Sequence, residues 1–231
     1  MTYRNIIFDF DGTLTDSRRD IAGAQLWSLQ QIGVSGLREE DLYPLIGKSL
    51  HETFARVLPP SQQHRIPEAI AHYAEYYPPR ALKTTTLFPG VGAALVELRA
   101  NGHRLAVAST KKGQGILRAT EHFGITGMFD LLQGSENIPF KPAPDVVLAV
   151  LGTLGWSPAE TLMVGDTDAD ILAGRAAGVA TCAVTYGSLT RDALMAFRPD
   201  HMLDSITGVV QIARTGEPRM AYDTPHERQA S

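Results

Sequence analysis

The chain has 231 residues, 44% of them hydrophobic and 20% charged, with a formal net charge of −4. That is enough chain to bury a core without covalent staples, and its weak acidity gives no electrostatic footprint for nucleic acid or an anionic membrane surface. A single cysteine, Cys182, excludes an intrachain disulfide framework, and no apolar run approaches the roughly 20 residues of a membrane span.

Near the N-terminus, Ile6-Ile7-Phe8 is a short apolar run bounded by the turn residues Asp11-Gly12, so a buried strand is expected over residues 4–10. The run is too short and too acidic for a signal peptide, and a cytoplasmic protein is expected. Over residues 16–83, Ile21, Ala24, Leu29, Ile32, Leu42, Leu50, Phe54, Val57, Ile66, Ile70 and Tyr73 recur in short stretches broken by Pro44, Gly47 and Pro59-Pro60. Few strand signals occur there, which predicts a small helical unit.

From Pro89 onward strands and helices alternate. Helices are expected at Val91–Ala100, Gly115–Phe123, Asp145–Leu154, Asp168–Ala177 and Arg191–Phe197. Strands are expected at Leu105–Ala108, Phe129–Leu132, Leu162–Val164, Ala180–Val184 and His201–Leu203. Alternation of this kind predicts an α/β fold, a Rossmann-like parallel sheet sandwiched by helices. The helical unit interrupts it after the first strand. The expected organisation is a core of residues 1–15 and 84–214, an inserted helical cap of residues 16–83, and a frayed tail of residues 215–231.

In open α/β sheets ligands bind beyond the carboxyl ends of the strands, and the residues there carry chemistry. Asp9-Phe10-Asp11-Gly12-Thr13-Leu14-Thr15 follows the first strand. Residues i and i+2 of an extended chain share a side, and two carboxylates so close need a cation or a shared proton. A surface Asp-Gly turn would explain the pair alone. Leu105-Ala106-Val107-Ala108-Ser109-Thr110-Lys111 ends a strand in hydroxyls, which could donate to a phosphate oxygen or cap a helix. Phe140-Lys141-Pro142-Ala143-Pro144-Asp145 places Lys141 just before a helix N-terminus, where it could neutralise an anion or be a solvated loop lysine. Leu162-Met163-Val164-Gly165-Asp166-Thr167-Asp168-Ala169-Asp170 ends a strand in three acids, more than capping requires and suited to a hard cation.

The string D-F-D-G-T-L-T-D, followed in order by the Ser109-Thr110, Lys141 and Asp166–Asp170 segments, resembles the four motifs of the haloacid dehalogenase superfamily in its phosphatase branch. The resemblance spans residues 4 to about 190. It implies that Asp9 is the nucleophile that forms an aspartyl-phosphate, and that Asp11 is the general acid and then base. It implies Mg²⁺ held by the Asp9 carboxylate, the Asp11 carbonyl and Asp166, with Asp170 behind them or reaching the ion through water. Gly12, Thr13, Ser109, Thr110 and Lys141 would bind the substrate's phosphoryl group, with Ser109 and Lys141 also counted among the catalytic residues. Asp168 would face solvent. The helical unit falls where this superfamily carries a cap. Ile46-Gly47-Lys48-Ser49 resembles its substrate-facing loop, so Lys48 is expected to contact an anionic leaving group or else to be a solvated surface lysine. Residues 15–17 and 83–88 would be the hinges.

The implied activity is hydrolysis of a small phosphorylated metabolite by a monomer or homodimer with no nucleic-acid or membrane partner. The cap placement and the Lys141–Asp145 and Val164–Thr167 strings most resemble phosphoglycolate phosphatases and their pyrophosphatase relatives. A β-phosphoglucomutase-like isomerase using the same Asp9 and Asp11, and a non-catalytic regulator that keeps the fold, are the alternatives. Ser109 and Thr110 depart from the Thr-Asn frequent in phosphoglycolate phosphatases, which bears on substrate rather than on chemistry. Cys182, Trp27 and Trp156 read as packing residues. The seven histidines show no ligand spacing for zinc, and Gly113 and Gly115 form no dinucleotide fingerprint.

Overall fold

The strands are short and apolar and the helices mostly follow them one by one. The computed structural model describes residues 3–222. Its first half runs β1 (Asn5–Phe8), β2 (Thr15–Asp16), α1 (Arg18–Gln31), α2 (Leu50–Val57), α3 (Ile66–Tyr76), β3 (Thr86–Leu87), α4 (Val91–Ala100) and β4 (Arg104–Ala108). Its second half runs α5 (Gly113–His122), β5 (Leu131–Gln133), α6 (Asp145–Leu154), β6 (Thr161–Gly165), α7 (Asp168–Ala176), β7 (Ala180–Val184), α8 (Arg191–Met195), β8 (His201–Leu203) and α9 (Val209–Thr215).

Six strands form a parallel sheet in the order β5-β4-β1-β6-β7-β8. Ile7 of the central strand lies opposite Ala106 on one side and Met163 on the other. Side chains alternate between faces along each strand, and both faces are covered. Ile6, Phe8, Leu105, Val107, Leu162, Val164 and Cys182 pack with Leu95, Ile116 and Ile212 of α4, α5 and α9. Ile7, Ala106, Ala108 and Met163 pack with Val146, Val150 and Ala173 of α6 and α7. Cys182 and Trp156 are buried members of these layers. Burial on both faces is why these strands read as continuous apolar runs.

Some boundaries differ from expectation. The first strand stops at Phe8, not residue 10, although the Asp9 amide still donates to the Val164 carbonyl at 2.8 Å. β5 begins two residues later than expected, although the Asp130 amide already donates to the Leu105 carbonyl at 2.7 Å while its side chain pairs with Arg99 and Arg104 at 3.1 and 3.2 Å. Residues 215–222, expected in a frayed tail, are tied down instead. The Met220 amide donates to the Asp200 carbonyl and the Tyr222 hydroxyl to the Pro199 carbonyl, each at 2.8 Å. The remainder of that expected tail, residues 223–231, lies outside the described residues.

The inserted helices α1, α2 and α3 close on their own core of Leu29, Leu42, Phe54, Leu58 and Ile66. The two chain segments that join them to the sheet domain pair as an antiparallel ribbon, Thr15 opposite Leu87 and Asp16 opposite Thr86. The Asp20 carboxylate fastens the start of α1 to the return segment: it accepts from the amides and hydroxyls of Thr84 and Thr85 at 2.6 to 3.1 Å. Phe54 is fully buried in the inserted core. Phe54→Ala is expected to lower the unfolding free energy by about 3–5 kcal/mol in urea denaturation; a loss under about 1 kcal/mol would mean that this core does not hold the helices together.

Candidate active site

The central strand β1 is flanked by β4 and β6, from which the chain proceeds outward in opposite directions. Their carboxyl ends therefore bound the crevice where such sheets bind ligands. Phe10 is buried in the core, so its neighbours Asp9 and Asp11 are directed to the other side. The segment then turns sharply: the Leu14 and Thr15 amides both donate to the Phe10 carbonyl at 3.0 Å. Gly12 has φ +94°, and a Cβ there would fall 2.3 Å from Asp166 Oδ2. Only glycine meets both demands.

Asp9, Asp166 and Asp170 are buried, and each offers a carboxylate oxygen within 4.8 Å of the others. Lys141 is drawn into their midst. Its ammonium lies 2.8 Å from Asp9 and 2.5 Å from Asp170, with its side chain 2% exposed. Burial alone would lower the Lys141 pKa, but Asp170 and Asp9 more than offset it and the net shift is upward. Asp9 is pushed up to about 7, by burial first, against the attraction of Lys141 and with repulsion from Asp170 and Asp166. Asp166 is pushed up to about 6 by burial and by Asp170. It is restrained by a 2.9 Å hydrogen bond from the Thr13 hydroxyl and a 2.8 Å bond from the Ser188 amide. Asp170 accepts from the Thr167 amide and hydroxyl at 3.0 and 2.7 Å, which makes it also the capping-box residue of α7.

The hydroxyls after β4 lie beside this cluster. Ser109 is buried, and its carbonyl accepts from the Ser135 hydroxyl at 2.8 Å. Thr110 turns its hydroxyl to the Gly47 carbonyl of the inserted unit at 3.3 Å. Asp11 stands slightly apart, paired with a different cation: Lys111 Nζ is 3.1 Å from Asp11 Oδ2. Asp9, Asp11, Asp166, Asp170, Lys141, Gly12, Thr13, Ser109 and Thr110 are thus brought to one end of the sheet.

Two sequence expectations fare differently. Asp168 does not face solvent: it is half-buried, with an oxygen 3.9 Å from Lys48 Nζ. Lys48 is turned to Glu52 and Asp168, at 3.6 and 3.9 Å, rather than to Asp9 or Asp11. Three contributors escaped the sequence reading. Gly187 and Ser188 follow β7 and close over Asp166: a Cβ at Gly187 would lie 2.3 Å from the Asp166 Cβ. Applying the strand-end rule to Val184 would have exposed them. Lys111 adjoins Thr110 in a segment already singled out, but its partners Asp11 and Tyr77 are 100 and 34 residues away in the chain.

A domain model described as haloacid dehalogenase-like hydrolase matches residues 6–184. The chain is 32% identical to the curated protein named probable phosphatase IndB of Dickeya dadantii, over 90% of this chain and 92% of that one. It is 29% identical to pyrophosphatase PpaX of Bacillus cereus, over 92% and 97%. Among solved structures, a haloacid dehalogenase-like hydrolase from Streptococcus pneumoniae superposes with a TM-score of 0.83 at 28% identity, covering 90% of this chain and 97% of that one. A protein described as a predicted phosphoglycolate phosphatase from Haemophilus somnus superposes with a TM-score of 0.80 at 25% identity, covering 93% and 99%. The motif order, the sheet and the match across most of the chain agree, and the protein belongs to the haloacid dehalogenase-like hydrolases.

Proposed function

We propose that the protein is a Mg²⁺-dependent phosphatase that hydrolyses a small phosphorylated metabolite through an aspartyl-phosphate on Asp9. The observation that carries this reading is the buried trio Asp9, Asp166 and Asp170 around the single ammonium of Lys141. The names of the relatives, a phosphatase and a pyrophosphatase, point the same way.

The residues present fit a hard divalent cation. Every donor at the cluster is a carboxylate oxygen, and three acids share one lysine. Burial first, and then repulsion from the neighbouring acids, pushes the Asp9 and Asp166 carboxyls up, and a bound cation would offset both. Asp9, Asp166 and the Asp11 carbonyl would hold the ion, with Asp170 behind them. Hard oxygen donors in small number suit Mg²⁺, which keeps water and substrate oxygens in its shell. When bound, the ion supplies positive charge against the phosphoryl oxygens.

In the proposed reaction Asp9 attacks phosphorus and the bond from phosphorus to the leaving oxygen breaks. Asp11 gives its proton to that oxygen, and the alcohol or acid departs. Asp11 then takes a proton from a water that attacks the aspartyl-phosphate, which releases inorganic phosphate and restores Asp9. Ser109 and the Thr110 amide would donate to the phosphoryl oxygens, with Gly12 and Thr13 bounding their site. Lys141 would offset charge on Asp9 and the transferring group, the chief contribution of a protein to phosphoryl transfer. The inserted helices would close over the substrate as a cap and exclude bulk water. In this arrangement Lys48 reaches a substrate only by leaving Glu52 and Asp168.

Incubation with p-nitrophenyl phosphate and Mg²⁺ should release inorganic phosphate, EDTA should stop it, and added Mg²⁺ should restore it; turnover that persists in EDTA would contradict the metal. Asp9→Asn should abolish turnover with an unchanged circular dichroism spectrum, and appreciable residual activity in that variant would remove Asp9 from its role.

The charge cluster also has a consequence for stability. Asp9 and Asp166 have folded-state pKa values above those of ordinary carboxylates. The folded state therefore binds the extra protons, and these groups cost stability progressively as pH rises from about 4 to about 7. Mg²⁺ relieves that cost. Thermal melts should show a larger Mg²⁺-induced rise in Tm at about pH 8 than at about pH 5; an equal rise at both would contradict it.

A further inference from the structure

The end of the sheet opposite the active site holds a second buried polar cluster. Tyr3 precedes β1 and His201 opens β8, and both are fully buried. Their rings meet edge to face, with centroids 5.6 Å apart and planes at 84°. His201 Nε2 lies 3.0 Å from the Tyr3 hydroxyl, and Nδ1 lies 2.7 Å from the Pro218 carbonyl. The Arg219 guanidinium donates to the same Tyr3 hydroxyl at 3.1 Å. Two consecutive residues of the segment after α9 thus hold the ring, Pro218 directly and Arg219 through Tyr3.

These partners fix where the hydrogens lie. A carbonyl only accepts, so His201 Nδ1 carries a hydrogen and donates it to Pro218. Nε2 of the neutral ring then accepts from the Tyr3 hydroxyl, whose oxygen accepts from Arg219. The bonds run one way, from Arg219 through Tyr3 and His201 to Pro218, and each donor has its acceptor. A second ring proton breaks the sequence. Nε2–H and the Tyr3 O–H would point at each other. The hydroxyl would have to turn its hydrogen away and accept from the imidazolium and the guanidinium together.

The neighbouring groups do not repair this. Asp200 Oδ2 is taken by the Thr181 amide and hydroxyl at 2.9 and 3.0 Å, and Glu217 Oε2 by the Arg219 amide at 2.9 Å. Cys182 stands opposite His201 in the β7–β8 pair, and burial pushes its thiol up, away from the charged form. His103 bonds to the Tyr3 carbonyl, at 2.8 Å, rather than to its hydroxyl. Burial pushes the His201 imidazole below its usual pKa and Arg219 adds to this, while the Pro218 carbonyl, Asp200 and Glu217 oppose it without reversing it.

We propose that His201 is a pH-sensitive latch for residues 216–222: a neutral ring fastens the segment to the sheet domain, and uptake of a proton by the ring releases it. In the released state the ring meets water and titrates as an ordinary histidine, so the docked state is the one that binds protons less readily. Docking is therefore strongest above the ordinary histidine value of about 6.5 and weakens as pH falls through it.

Pulsed hydrogen–deuterium exchange of the full-length protein, read by mass spectrometry and divided by the intrinsic exchange rate at each pH, reports release directly. In the docked segment the Met220 amide is held by the Asp200 carbonyl at 2.8 Å. Protection of the peptide spanning residues 215–222 should fall at least about fivefold from about pH 7.5 to about pH 5, on the scale of one buried histidine, while protection of α4 does not fall. Equal protection of the segment at both values overturns the latch, and so does a fall that α4 shares. His201→Gln, which cannot take up the proton, should show no such fall; an undiminished fall in that variant assigns the effect to another group and overturns the proposal. If the variant is unprotected at both values, the wild-type ring decides, through its titration followed by nuclear magnetic resonance. A His201 midpoint below about 6.5 upholds the latch, and one at or above it overturns it.

Discussion

Three carboxylates around one ammonium is the constraint on which the site depends. Two unit negative charges at the 4.8 Å limit that separates the oxygens of Asp9, Asp166 and Asp170 repel by on the order of 3 kcal/mol at an effective dielectric of about 20. Lys141 offsets part of this by touching two of the three acids. The rest is spread over fixed donors: the Thr13 hydroxyl and Ser188 amide on Asp166, and the Thr167 amide and hydroxyl on Asp170. Fitting the acids this tightly also dictates where side chains are forbidden. At Gly12, Gly165 and Gly187 a Cβ would fall within 2.3 Å of an atom of Asp166 or Asp170. These glycines serve close approach, and at Gly12 a positive φ as well.

One side chain can serve a helix end and the acidic cluster at once. A first-turn acid at the start of a helix is ordinarily explained by capping. Asp170 does cap α7, through Thr167, yet its other oxygen holds Lys141. Capping therefore fixes the rotamer that presents the carboxylate to the cluster. Thr110 likewise sits at a strand end where a hydroxyl could cap a helix, but it bonds instead to the Gly47 carbonyl across the seam.

How much of this was legible in the sequence follows from the range of each interaction. The strands of the sheet were readable because burial on both faces leaves apolar runs such as Leu105-Ala106-Val107-Ala108 and Leu162-Met163-Val164, each ending in polar residues. Asp9, Asp11, Ser109, Thr110 and Asp166 were readable because they follow strand ends, whereas Lys141 and Asp170 were placed by the order of the motifs the sequence resembles. The β2–β3 ribbon was not, since two residues per strand carry no period. α9 spans only seven residues, so its buried Val209, Val210, Ile212 and Ala213 make too short an apolar pattern to stand out. The docking of residues 215–222 rests largely on main-chain acceptors such as the carbonyls of Asp200 and Pro199, which no side-chain pattern announces. Lys111 was visible as a letter, but its partners Asp11 and Tyr77 lie far along the chain and only the fold brings them together.

The Asp20 carboxylate and the paired linkers have a mechanical consequence. The inserted unit leaves and rejoins the sheet domain through two adjacent strands bonded to each other, and Asp20 binds the start of α1 to Thr84 and Thr85 on the returning one. Two separate tethers would allow the lobe to twist and slide as well as swing. Cross-braced into one ribbon, the two linkers act as a single connection between the inserted helices and the sheet domain. Besides that ribbon, Thr110 bonds to the Gly47 carbonyl and Lys111 to the Tyr77 hydroxyl, so side chains just after β4 tie the sheet domain to the inserted unit at two more points.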